Sequence, residues 1–240
     1  MKTRPLPETD LARIAPLPAD LKRAQLEHLR LGRPPYRYAP VRKSFADLLN
    51  VHSGLFGELP RTPFNLIADV IRSCSRSDDE EIANLRVAEA LYNYTVEQKI
   101  SGRKHEFFPM ALGIGEKVVF WHSLVLALNS RPLVPFIDPR RQQTKLTKAA
   151  RRFVFSMMYE RIRVANPDFA HVTLGILQFT TPDTGPRKPI LYTDDGVELF
   201  SYDQLEDMVR ETYAIWHEVC AERVAEARKR AAGGSGDRLI

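Results

Sequence analysis

Cysteine is nearly missing from this chain: Cys74 and Cys220 are the only two in 240 residues, far apart and without the paired spacing of a zinc site. A disulfide framework is therefore excluded, and both thiols, set among apolar helical residues, are expected to be reduced. No apolar run approaches the roughly 20 residues that cross a bilayer, and MKTRPLPETD at the N-terminus has no stretch of signal-peptide type. The expected location is the cytoplasm, with no membrane partner. Catalytic signatures are missing too: there is no Gly-x-Ser-x-Gly elbow, phosphate-binding loop, His-Glu-x-x-His or dinucleotide-binding glycine fingerprint. Nor is there an internal repeat.

What is present is ordinary in amount and uneven in placement. A hydrophobic fraction of 44% at this length supports one or two domains with a real core. The net charge of +5 permits a polyanionic partner without demanding one.

Residues 1–62 are expected to form a proline-rich arm with short helices, since seven of the seventeen prolines lie before residue 46. Leu21, Ala24, Leu26 and Leu29, between Pro18 and Gly32, predict one helix near residues 19–31. The strip from Arg33 to Lys43 interleaves Tyr36 and Tyr38 with Arg33, Arg37, Arg42 and Lys43. It suits a phosphate backbone with stacked bases, or a wrap around its own domain or a neighbouring subunit. A short amphipathic piece follows from Ser44, ended by Gly54 and Gly57, and Phe64, Ile67, Ala68 and Ile71 predict another helix. The acids Asp78, Asp79, Glu80 and Glu81 read as the charged start of a third, which continues through Ile82, Leu85, Ala88 and Tyr92 with Glu89 in its middle.

Residues 63–232 read as an α/β domain. KHEFFPMALGI, from Lys104, predicts a first strand, and Gly113 and Gly115 the turn after it. Two apolar runs, Val118 to Leu128 and Leu133 to Ile137, flank the polar turn Asn129-Ser130-Arg131, the pattern of a buried hairpin. Alternation places Trp121, Ser123 and Val125 on one face with Val134, Phe136 and Asp138, so Ser123 and Asp138 are expected as neighbours. A helix is predicted from Lys145 to Ala165, buried around Phe153 to Met158, then strands from His171 to Phe179 and from Lys188 to Tyr192. The last helix runs from near Ser201 to about Ala232, and its charged far half projects into solvent or onto a partner. Residues 233–240 are expected to be a disordered tail.

The hairpin ends in Asp138-Pro139-Arg140, an acid followed two residues later by a cation, after a helix carrying Glu89 and before a long helix and a strand. This order, from Ile82 to Phe179, resembles the core of the PD-(D/E)XK nuclease superfamily. The resemblance implies a restriction-endonuclease-like α/β fold, a central mixed sheet of about four to five strands flanked by helices, here with a helical N-terminal extension. It implies catalytic positions at Asp138, Arg140 and Glu89, with Mg²⁺ or Mn²⁺ on Asp138 and Glu89 if the centre is active and no cofactor otherwise. Ser123 or His122 stands where the family has its first acid, and Arg140 where it has lysine; a guanidinium pairs with phosphate but stays protonated. The implied function is a nucleic-acid-binding protein with a catalytically degenerate nuclease-like core. An active Mg-dependent nuclease and a protein-interaction subunit of a larger complex remain open as alternatives.

The run RRQQTKLTKAARR gives the binding reading its residues: Arg140, Arg141, Lys145, Lys148, Arg151 and Arg152, with no acid among them. A helix would align Lys145, Lys148 and Arg152 as a ridge along a nucleic acid, with DNA the expected partner. A protein partner or a second copy would dock through the proline-rich arm or the final helix.

Overall fold

The computed structural model describes residues 5–29, 38–52, 60–115, 117–140, 145–180 and 186–233. A mixed sheet of six strands runs through its middle, in the order β1 (Val51–His52), β2 (Ser101–Lys104), β5 (Leu124–Leu128), β6 (Arg131–Ile137), β7 (Thr173–Phe179) and β8 (Pro189–Thr193). The pairs β1–β2 and β6–β7 are parallel, and the others are antiparallel. Two short strands, β3 (Met110–Ala111) and β4 (Lys117–Val118), form a separate ribbon. The α/β class and the helix-flanked mixed sheet agree with expectation. The single strand expected from Lys104 does not form: its residues divide between the end of β2 and the side ribbon.

Alternation along the central strands sorts their side chains into two cores. Val125, Val134, Phe136, Leu174 and Ile176 enter one; Leu126, Leu133, Ile137, Leu177 and Phe179 enter the other. Strands buried on both faces need a helical layer on each side. The first layer is α1 (Glu8–Ile14), α2 (Ala19–His28), α7 (Lys148–Met158) and α8 (Tyr202–Gly233); the second is α3 (Ala39–Lys43), α4 (Phe45–Leu48), α5 (Phe64–Cys74) and α6 (Asp78–Glu97). Described residues from the first 62 enter both cores: Leu11, Ile14 and Leu26 the first, Val41, Phe45 and Leu48 the second. Truncating one such leucine to alanine costs about 2–5 kcal/mol. Helix α1 was not expected, because prolines dominate its neighbourhood. Pro7 precedes its first turn, where no N–H is required, and Leu11 N–H donates to the Pro7 carbonyl at 2.9 Å.

The β5–β6 hairpin closes through Asn129 and Ser130, at φ 49° and 62°. Two consecutive left-handed residues give the turn whose twist suits a two-residue hairpin. The expected pairing parity holds, with Leu126 opposite Leu133 and Leu128 opposite Arg131. Close approach of β2 to β5 requires Gly102, where a Cβ would lie 2.7 Å from the Val125 carbonyl oxygen. The strand expected from Val118 is cut short because Pro135 has no N–H to give. Leu124 N–H turns to the His122 carbonyl at 2.7 Å, and His122 N–H reaches the Pro135 carbonyl at 2.8 Å. Ser123 therefore precedes β5, its carbonyl accepting from His105 N–H at 3.1 Å, while Asp138 N–H donates across β7 to Leu177 at 2.9 Å. The anticipated Ser123–Asp138 pairing does not form.

Helix starts follow their capping residues. Ser77 accepts from Glu80 N–H at 3.3 Å, and the Glu80 carboxylate accepts from Arg76 N–H at 2.7 Å, so the acidic run does open α6. Thr147 accepts from Ala150 N–H at 3.2 Å and starts α7 at Lys148, so Lys145 lies ahead of the helix and outside the ridge expected there. Beyond Met158 the chain widens into a π-helical turn, Tyr159–Val164, where one continuous α-helix was expected.

Candidate functional site

Asp138 leaves the end of β6 fully buried, with 0% of its side chain exposed. A buried carboxylate is tolerable only when its oxygens are occupied. Oδ1 accepts from Arg140 Nε at 2.8 Å and from Arg140 backbone N–H at 3.4 Å; Oδ2 accepts from Leu146 N–H at 3.1 Å, Gln178 Nε2 at 3.3 Å and Arg140 Nη2 at 3.4 Å. The triplet itself explains this: residues two apart along extended chain share a side, so Arg140 folds back onto Asp138 across Pro139.

Arg140 carries the connection outward. Its Nη1 donates to Asp10 at 3.2 Å and its Nη2 to the Thr9 carbonyl at 3.3 Å, which ties α1 to the sheet. Arg13, beside Asp10 at 3.7 Å, has its pKa lowered by burial and then by the neighbouring Arg140. Arg187 braces the backbone from the other side, donating to the Pro139 and Arg140 carbonyls at 2.8 and 2.9 Å. The result is a clasp joining β6, β7, α1 and the approach to α7.

Asp138 and Arg140, the expected catalytic positions, have their polar atoms bonded to the fold. Glu89 sits on the solvent side of α6, opposite the inward Val87, Ala88 and Leu91. Among the described residues no group of three or more His, Cys, Asp or Glu is placed to hold a metal ion.

The cationic ridge is taken up in a similar way. Arg151 donates to the Leu146 carbonyl and to Gln178 Oε1, both at 3.2 Å, and lies 3.9 Å from the centre of the Tyr192 ring. Arg152 donates to the Glu198 carbonyl and stacks 3.8 Å over Phe200. Lys148 is exposed, Lys145 is half-buried, and Arg141 falls outside the described residues. The expected strip through Arg33, Tyr36 and Arg37 also falls outside them, as does the tail from residue 234.

His122 is the other polar group whose place needed the fold. Its ring meets Phe45 edge-on at 5.0 Å and stacks on Phe136 at 6.1 Å. Burial first, then nearby Arg42, lowers its pKa to about 3 against a bond to the Ile137 backbone, so it is neutral at pH 7. Its Nε2 and the Trp121 Nε1 have no hydrogen-bond partner among the described residues. Of the two thiols, both half-buried, Cys220 has its pKa raised by burial.

The largest apolar exposure among the described residues was not anticipated from the sequence. Phe108, in the loop between β2 and β3, is 77% exposed, although FFPM reads as strand core. Among the described residues no helix is long and apolar enough to cross a membrane.

Comparison with known proteins identifies a different lineage from the one the triplet suggested. Residues 9–226 match the family model described as sliding clamp-binding bacterial toxin SocB. A protein of Caulobacter vibrioides (strain NA1000 / CB15N), described as DNA replication inhibitor toxin SocB, is 36% identical over 235 residues, 98% of each chain. No solved structure matches. These matches overturn the PD-(D/E)XK resemblance and the nucleic-acid-binding, nuclease-like function drawn from it. The order of helix, hairpin, helix and strand is a layout that unrelated α/β chains share. The chain belongs to the SocB family of sliding clamp-binding bacterial toxins.

Proposed function

We propose that this chain is a bacterial toxin that arrests DNA replication by occupying the sliding clamp. The observation that carries the reading is coverage: the family model spans 218 residues, from 9 to 226, and the relative aligns over 98% of both chains. The site geometry is compatible with a protein that acts by holding. Asp138 and Arg140 are tied into the clasp, and Arg151 and Arg152 are engaged by the fold. The chain then works in the cytoplasm, where replication proceeds, with no cofactor and with the clamp as its partner.

Isothermal titration of the purified protein with the source bacterium's sliding clamp tests this. Saturable binding of a folded chain is expected, with no cleavage of DNA added in Mg²⁺ or Mn²⁺. Absence of binding, or metal-dependent nicking lost in Asp138→Ala, would refute it.

A further inference from the structure

We infer that β8 is the seam at which two copies of this chain pair, edge to edge, across a two-fold axis; the inference stands apart from the function proposed above. Strand β8, Pro189–Thr193, closes one side of the six-stranded sheet and has a single strand neighbour, β7, among the described residues. All five of its residues are half-buried, whereas Leu174 to Phe179 of β7 are buried. The strand is held from both faces. Tyr192 packs on the first core, with the Arg151 guanidinium 3.9 Å from its ring centre, and Leu191 packs on the second. The opposite edge, β1, offers only two residues.

Successive residues of a strand turn their backbone groups to opposite sides. Thr180 N–H donates to the Lys188 carbonyl at 2.9 Å, so Lys188 faces β7, and by alternation Ile190 and Tyr192 face it too. The same parity holds on β7, where the Leu177 carbonyl, opposite Leu191, turns away to accept from Asp138 N–H. Leu191 and Thr193 therefore aim their N–H and C=O groups at the open side, and Pro189 its C=O alone. The register with β7 is one-to-one, so no bulge twists this edge away, and no charge lies between Ile190 and Thr193.

A second copy fits this edge. When two antiparallel β8 strands are centred on Leu191, the Leu191 residues exchange hydrogen bonds, and each Thr193 N–H meets the Pro189 carbonyl of the other copy. Pro189 then serves as an acceptor, the one role its backbone allows. The register sets Ile190 beside Tyr192 of the other copy, a β-branched residue against an aromatic. It also brings the exposed Lys188 of each copy to the Asp194-Asp195 turn of the other, where Arg163 holds Asp194 at 2.8 Å and Asp195 is exposed. Centring on Tyr192 would instead set Ile190 against Asp194. Charge complementarity thus selects one self-complementary register. A seam this short is small beside the roughly 1,000 Å² that stable interfaces clear, so pairing at about 10–100 μM is expected.

Sedimentation equilibrium of the full chain over a concentration series, with hydrogen exchange read at Leu191 and Thr193, tests the seam. Wild type is expected to pass from monomer to dimer, and exchange at those two amides to slow as it does. Thr193→Pro removes an outward donor that β7 does not use, and should weaken dimerisation about ten-fold or more. Lys188→Glu should weaken it by less, and Lys188→Glu/Asp195→Lys, which exchanges the charges across the seam, should restore it. If Thr193→Pro does not fold, the charge exchange decides alone. A monomer at every concentration overturns the inference. So does a dimer in which those amides exchange as freely as in the monomer, one whose strength Lys188→Glu leaves unchanged, or one that the charge exchange fails to restore.

Discussion

Two parts of this molecule use their side chains in opposite directions. At the end of β6 an acid and several arginines face one another, and the carboxylate at their centre is sealed from water. At the β2–β3 loop an aromatic ring stands in solvent with a guanidinium behind it. The charge-rich corner drew attention as a site, yet the carboxylate at its centre has both oxygens bonded within the fold. The apolar loop carries no motif, yet its ring stays in solvent. The difference teaches that charge marks a ligand site only when something of it is left over, and that an exposed apolar group matters when the fold holds it still.

The comparison breaks most readily at Asp138. Asp138→Ala takes the acceptor from the Leu146 N–H and one of the acceptors from each of Arg140 and Gln178, and removing one member of a buried charge pair costs about 3–5 kcal/mol. Set against a typical domain stability of about 5–15 kcal/mol, that is a large share, to be read as a lower urea midpoint with an unchanged slope. A catalytic residue would show the reverse, with stability kept and an activity lost.

Acid sharpens the contrast next, through His122. Its folded pKa of about 3 lies below the ordinary 6.5, so between those values the unfolded chain binds a proton that the folded chain refuses. Stability contributed by the neutral ring is complete above the unfolded pKa and falls as pH drops toward 3, by up to about 1.4 kcal/mol per pH unit. His122→Phe, placed between Phe45 and Phe136, should flatten that slope in urea melts at pH 4 to 7; an unchanged slope would place the proton elsewhere. Smaller still is the loss of the α6 cap. Ser77→Ala should lower stability by about 1 kcal/mol without touching clamp affinity. Least of all, Lys145→Gln with Lys148→Gln should shift stability by no more than about 0.5 kcal/mol, because neither lysine enters the Asp138 clasp. A strong loss of function in that pair would return the basic ridge to the centre of the mechanism.

Much of the fold could be read from residue order. The alternation that sends Val134 and Phe136 one way and Leu133 and Ile137 the other is visible in the chain, and so are the acidic opening of α6 and the long final helix. What could not be read depended on partners distant in sequence. Asp138 finds Gln178 across β7 and Arg140 finds Asp10 at the other end of the chain, so the same triplet could have been a ligand or a lock. Helix α1 was hidden by prolines that suit the approach to a helix as well as an extended arm. The broken strand at Ser123 depended on which neighbour met Pro135. The function was least legible, because a surface that docks a protein needs shape and exposure rather than a spaced set of acids and cations. FFPM looks like core until the packing shows that Phe107 is buried and Phe108 is not.

The most direct measurement is clamp-dependent DNA synthesis on a primed template, with purified polymerase and clamp and increasing amounts of this protein. Synthesis should stop as the protein reaches the clamp's concentration, resume when further clamp is added, and leave the template intact. Synthesis unaffected at saturating protein, or a template found cut, would contradict the claim that this chain arrests replication by holding the clamp.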